Sequence, residues 1–314
     1  MKYKNCGVGI FVVLFMLTFA LSAEAELPTT KQIETINYKL LDKEGNPIVC
    51  YITSDDEITL FLKVTPDITQ TLPVLYTVFM NGEQIECLWN NKLTCVYYQL
   101  IEPQKTEFIA LTIREIPEGR NTLQFGSVYY PSKIHWNNTE SINRYTLNLN
   151  PFTIVRNIEA QYTYMEFTSK KSEQENGYFE IQNIGINGFL SSKKGKQVSK
   201  FIYNVDEINH LYYYWQNPDN IPINAKFSLL VNWKQTTWPN TGKLFIDIKS
   251  YPKDIVFQEI DLSTIIKEEI NHICVVAFVN PDISFWYYDT SVNDWEANPQ
   301  GAQGYSTQRT LIIK

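Results

Sequence analysis

Residues 48–156 and 200–314 of this chain carry matching blocks of sequence in one order, and a repeat of that size can hold a whole domain rather than one turn of a solenoid. Asp56-Glu57-Ile58 matches Asp206-Glu207-Ile208, and the apolar run after each leads to Pro66-Asp67 or Pro218-Asp219. Leu75 to Asn81 then parallels Lys226 to Asn232, with Glu83-Gln84 echoed by Lys234-Gln235. Asn121 to Pro131 aligns without gaps onto Asn271 to Pro281, and Tyr145 to Arg156 has its counterpart in the closing Arg309 to Lys314. The pattern predicts a duplicated unit whose copies superpose strand for strand.

Within each copy the period is two. Tyr145, Leu147 and Leu149 alternate with Thr146, Asn148 and Asn150, while Leu244, Ile246 and Ile248 share a parity that Asp247 does not, as in strands with one wet face. Val74 to Met80 is apolar on both parities, which suits a strand covered on each side. Glu44-Gly45-Asn46-Pro47 and Asn240-Thr241-Gly242 read as turns. Short strands at close intervals predict an all-β chain of two tandem antiparallel β-sandwiches, immunoglobulin-like or jelly-roll-like. The helix candidate is Asp261 to Ile270, one or two turns capped by Asp261 or Ser263. Ile158 to Ser199 is richer in Lys, Glu, Ser, Asn and Gly than its surroundings, which places the division near Asn157: domain 1 over 26–157 and domain 2 over 158–314. The lysines at 193, 194, 196 and 200 read as a solvated loop.

Residues 1–25 have the make-up of a signal peptide. Lys2 and Lys4 precede an uncharged run from Asn5 to Ala23, and Ala23-Glu24-Ala25 offers small residues at the positions a signal peptidase reads, so cleavage is expected before Glu26. No second run of spanning length follows, so no membrane span is expected after cleavage. The formal net charge is −7, and it becomes more negative by one once Lys2, Lys4 and Glu24 leave. An acidic chain of this kind is a poor nucleic-acid or anionic-membrane binder, and the expected location is secreted or cell-surface.

Of the five cysteines, Cys6 belongs to the leader, which leaves Cys50, Cys87, Cys95 and Cys274. In an exported chain an even number reads first as disulfides. Cys87 and Cys95 flank Leu88 to Thr94, a hairpin tip with Asn90-Asn91 at its centre, and are the expected pair. Cys50 and Cys274 are then a possible second pair, or two buried thiols. The three histidines show no metal-ligand spacing with the cysteines, and the Asn/Asp-rich loops at 217–220 and 289–294 lack the spacing of known calcium motifs, so neither a metal nor a cofactor is implied.

The chain has no G-x-S-x-G elbow, no H-E-x-x-H and no phosphate-cradling glycine loop. Catalysis would have to rest on paired carboxylates such as Asp55-Asp56-Glu57 or Asp206-Glu207, as in a secreted carbohydrate-active enzyme. Their recurrence in both copies points to structural turns instead. Aromatics are the stronger hint of a ligand: Trp215, Trp233, Trp238, Trp286 and Trp295, five of the seven tryptophans, fall in the second half, beside Tyr212 to Tyr214 and Tyr287-Tyr288. Consecutive aromatics in a strand point to opposite faces, so some must leave a single core. The sequence therefore predicts a non-catalytic binding or structural module that meets a glycan or another surface protein through Trp215, Trp233, Trp238, Trp286, Tyr288 and Trp295.

Overall fold

A computed structural model describes residues 35–131, 147–157, 186, 188–196, 202–217, 221–266, 268–281, 283, 285–289, 294–298, 301–307 and 311–314. The expected leader, Asn137-Asn138-Thr139, which reads as an N-glycosylation sequon, and most of the segment between the repeats lie outside these residues.

The first sandwich begins with β1 (Thr35–Leu41), β2 (Cys50–Thr53), β3 (Ile58–Asp67), β4 (Leu72–Met80), β5 (Glu83–Gln84) and β6 (Cys87–Trp89). It continues with β7 (Lys92–Thr94), β8 (Val96–Ile101), β9 (Glu107–Ile113), β10 (Gly119–Tyr129) and β11 (Asn148–Arg156). One sheet runs β1-β3-β9-β6-β7, and the other runs β2-β11-β10-β4, with β5 and β8 sharing the free edge of β4. The order β1-β3-β9-β6 against β11-β10-β4 is the immunoglobulin arrangement, not that of a jelly roll.

The second sandwich starts with β12 (Phe189–Ser191), β13 (Ile202–Tyr203), β14 (His210–Gln216), β15 (Ile223–Val231), β16 (Lys234–Thr236) and β17 (Phe245–Ser250). The remaining strands are β18 (Ile255–Asp261), β19 (Asn271–Val279), β20 (Trp286–Asp289), β21 (Asp294–Ala297), β22 (Gln303–Ser306) and β23 (Leu311–Ile313). Its sheets are β12-β14-β18 and β13-β23-β19-β15-β16, with β17 on β15, β22 on β19, and β20–β21 a separate hairpin. Pairing is antiparallel except for β2 on β11 and β13 on β23, which hold like places in the two sandwiches. At the expected helix the chain makes a short 3-10 turn, Leu262–Thr264, whose Asp261 side chain accepts from the Ser263 amide. Among the described residues no helix is long and apolar enough to cross a membrane.

Alternation decides where each core lies. On β4, Val74, Tyr76 and Val78 enter the first core with Leu60, Leu62, Ile109 and Phe125, whereas Leu75 and Phe79 point the other way. On β19, Ile273, Val275 and Ala277 enter the second core with Tyr213, Trp215 and Phe227, while Cys274, Val276 and Phe278 point away. The outward sets meet and form a third core with Val96, Val128, Leu230 and Trp233. Each of these strands is thus apolar on both parities because each face belongs to a different core.

The contact joins like positions. The Gln84 amide donates to Gln235 Oε1 at 2.8 Å, and the Gln235 amide returns a bond to Gln84 Oε1 at 2.7 Å. Asn81 and Asn232, with φ of 54° and 51°, end β4 and β15; the Asn81 carboxamide oxygen takes the Thr122 amide, and that of Asn232 takes the His272 amide. Close approach of the sheets needs small residues. A Cβ on Gly304 would stand 2.7 Å from Leu149 Cδ1 of the first sandwich, whereas one on Gly126 would crowd its own sheet, 2.8 Å from Thr77 Cγ2 on the neighbouring strand.

Candidate functional site

After β1 the chain reverses over Asp42 to Asn46, where the Asp42 carboxylate accepts from the Asn46 amide at 2.7 Å and from its side-chain nitrogen at 3.0 Å. Gly45 supplies the left-handed residue of this turn, at φ 89°. Pro47 bridges back to Leu41, and the Ile48 amide still bonds to Leu40 in the first sheet. The Val49 carbonyl already accepts from Thr153 of β11 in the second sheet. Pro47 to Val49 therefore strap the edge of one sheet to the edge of the other.

Beneath this strap lies a cavity of about 440 Å³. Tyr38 and Leu40 of β1 form one wall, Leu62 and Phe125 of the first core lie at its depth, and Asn150 to Phe152 of β11 line the facing wall. The second sandwich contributes Phe285 and Trp286, whose rings meet edge to face with centroids 5.1 Å apart. Trp286 Nε1 donates to the Pro151 carbonyl at 3.3 Å, which ties the base of β20 to the first sandwich. Burial pushes the Tyr38 phenol far above its ordinary range, so this ring presents a neutral hydroxyl. Among the described residues the lining holds Lys39 and Asn150 as polar groups and no carboxylate. Such a site can take an apolar group and orient it with a few polar contacts.

Of the residues proposed from sequence whose side chains are described, Trp286 is the one at this cavity. Trp215, Trp233 and Trp238 are corrections: they are only 0%, 4% and 1% exposed. Their indole N–H groups are spent on the carbonyls of Ile186, Pro131 and Phe227 at 2.7, 3.0 and 3.0 Å. The excess of rings is absorbed by additional layers. Trp215 and Trp238 fill the second core, and Trp233 fills the core between sandwiches, stacked on His272. On the other face of β14, Tyr214 is covered by Phe189 and by residues 194–195, with the Lys194 ammonium 4.9 Å from the Phe257 ring. Tyr288 and Trp295 face each other in the ladder of β20 and β21, but their side chains lie outside the described set.

The disulfide expectations are also corrected, because Cys50, Cys87, Cys95 and Cys274 are free thiols. Asn90 and Asn91 form the hairpin tip with φ of 47° and 69°, and the resulting register sets Cys87 opposite Thr94. Cys95, one residue further, points to the other face: Cys87 enters the first core and Cys95 packs on the core between sandwiches. Cys50 lies on the edge strand β2, whereas Cys274 is buried on β19, where the Thr307 hydroxyl donates to its sulfur at 3.4 Å. Burial raises Cys50 and Cys87 to about 12 and Cys274 to about 11.

Among the described residues no group of three or more His, Cys, Asp or Glu side chains is placed to hold a metal ion. The carboxylates considered for catalysis sit in surface turns: Glu57 pairs with Arg114 at 2.7 Å, and Glu207 accepts from Asn204 at 3.0 Å. The cavity was not legible in the sequence, since its walls come from β1, the strap, β11 and a hairpin more than a hundred residues away.

No known family and no curated protein matches the chain. Among solved structures, it is similar to the CARDB domain of the PF1109 protein from Pyrococcus furiosus, crystallised with di-metal ions, at 11% identity over 41% of this chain and 99% of that one, with a TM-score of 0.26. It is similar to the CupB2 chaperone of Pseudomonas aeruginosa at 12% identity over 83% and 97%, with a TM-score of 0.22. The Salmonella enterica SafA pilin in complex with the SafB chaperone gives 11% identity over 86% and 95%, with a TM-score of 0.25. Likeness at these values assigns neither a family nor a function to the chain.

Proposed function

We propose that this protein is an exported, non-catalytic binding module that receives an apolar side chain of another surface protein in the cavity beneath residues 47–49. The observation that carries the reading is the lining: mainly hydrophobic walls drawn from both sandwiches, with Trp286 among them and no carboxylate among the described residues. Glycoside hydrolysis needs two carboxyl groups flanking one bond, and this lining supports binding over that rival. Contact with a glycan is the second reading, favoured by the partly buried Trp286 ring at the cavity, since an aromatic face can stack on a sugar ring. We also take the two sandwiches for copies of one ancestral unit divided near Asn157, a reading supported by the like hydrogen bonds of Asn81 with Asn232 and of Gln84 with Gln235.

Titration with the apolar fluorophore anilinonaphthalene sulfonate tests the pocket. Saturable binding that Trp286→Ala weakens about tenfold is expected, roughly the loss of one buried aromatic contact. Binding unaffected by Trp286→Ala overturns the apolar-pocket reading. Retention on insoluble polysaccharide that survives high salt and is lost in Trp286→Ala would favour the glycan instead.

A further inference from the structure

We propose that the chain pairs with a second copy of itself through the free edge of β8, antiparallel, about a twofold axis. Among the described residues β8 forms a strand ladder with β4 alone. The Thr94 hydroxyl holds the Val96 amide and carbonyl at its start, and Gln99 reaches Glu107 of β9 on the side of the first core. Its sequence, Val96-Tyr97-Tyr98-Gln99-Leu100-Ile101, contains no charge, no proline and no glycine. Tyr98 is 54% exposed and Leu100 64%. Soluble proteins blunt edges of this kind with charges, prolines or bulges, because an open edge is a template for another strand.

The second sandwich supplies the comparison within the same molecule. β17 lies on β15 as β8 lies on β4, with Asp247 opposite Lys226 and Lys249 opposite Asn224. Tyr98 is opposite Leu75 and Leu100 is opposite Pro73 in β8. Since Thr77 and Ser228 hold like positions, facing Val96 and Phe245, Tyr98 answers to Asp247 and Leu100 to Lys249. One edge carries the protective charges and its twin carries exposed apolar side chains.

A second copy is the occupant that these residues fit. An uncharged strand meets its own copy without repulsion, and an antiparallel self-pair closes after two chains. Facing residues in an antiparallel pair share one side of the sheet, so like faces match only when their numbers sum to an even value. The register centred on Gln99 meets this condition and sets each Tyr98 beside the other copy's Leu100, an aromatic–aliphatic cross-strand pair made twice. Tyr98 and Leu100 also share a face with Val96, which already packs in the core between sandwiches, so the new contact would extend an existing apolar surface.

Sedimentation equilibrium of the chain without its leader, over a wide concentration range, is the test. The wild type should form a dimer, and the double variant Tyr98→Asp, Leu100→Lys, which borrows the residues of β17, should be a monomer that melts like the wild type diluted below its dimerisation range. Leu100→Lys alone should weaken the dimer about tenfold if the double variant folds poorly. Ile52→Lys, on the exposed face of the opposite edge strand β2, should leave the dimer intact. A wild type that stays monomeric, a double variant that still dimerises, or a dimer broken by Ile52→Lys overturns the proposal.

Discussion

Gln84 and Gln235 each donate a main-chain amide to the other's side-chain oxygen, at 2.8 and 2.7 Å, across the contact between the two sandwiches. Their side-chain nitrogens continue the correspondence, Gln84 donating to Thr77 Oγ1 and Gln235 to Ser228 Oγ, both at 2.8 Å. Gln84 also donates to the Trp233 carbonyl at 2.8 Å. Neither side chain can be removed without stranding polar groups of the other sandwich. Gln84→Ala should destabilise the chain by about 2–3 kcal/mol, because each buried group left unpaired costs about 1–3 kcal/mol. The double variant with Gln235→Ala should show coupling of about 1 kcal/mol or more in urea unfolding, and strict additivity would show that the pair does not act as a unit.

The tryptophans should separate into two classes. Trp238→Ala opens a cavity in the second core and removes a hydrogen bond to the Phe227 carbonyl, so a loss of about 3–5 kcal/mol is expected. Trp286→Ala, at a partly open cavity, should cost less than half as much. Denaturant midpoints of the two variants check the ordering, and equal losses would place Trp286 in the core.

His272 is buried against Trp233, and burial holds its pKa below the ordinary histidine value. The unfolded chain takes up a proton near pH 6.5 that the folded chain resists, so stability is full above that pH and falls as the pH drops toward the lowered folded value. Thr122 holds the like position in the first sandwich. His272→Thr should therefore flatten the acid side of the stability profile, by up to about 1.4 kcal/mol per pH unit at its steepest. An unchanged slope between wild type and variant would show that another group sets it.

Thiol reactivity follows depth. At pH 8 Cys95 should be alkylated first: burial raises its thiol, but it is only half-buried and the nearby Lys234 offsets part of the rise. Cys87 and Cys274, with values of about 12 and 11, should react only on unfolding. Peptide mapping of protein alkylated before and after denaturation reads this order directly, and a linked Cys87–Cys95 peptide would contradict it.

Gly304 faces Leu149 and Gln124 across the contact. Gly304→Val should cost about 1–3 kcal/mol by forcing the sheets apart. Gly242, whose Cβ would meet nothing within 4 Å, is the control for space alone, although its φ of 66° disfavours a branched side chain.

The period-two alternation and the turn residues determined the β class and the placing of strands such as β4 and β17, because side-chain parity along an extended chain is a local property. Alternation also identified β4 as covered on both faces. The repeat aligned Gln84 with Gln235 and Asn81 with Asn232 as like residues, but it held no sign that the two glutamines would meet. That meeting, the burial of Trp215, Trp233 and Trp238, and the parting of Cys87 from Cys95 were decided by tertiary structure. The rings judged too many for one core are shared among cores and layers that form only when the sheets stack. The cysteine pair failed by one residue of register, which the two-residue tip at Asn90-Asn91 sets and composition does not reveal. The cavity under Pro47 to Val49 is a tertiary product for the same reason: strands distant in sequence make its walls, and only the packing of one sandwich on the other brings Trp286 to its mouth.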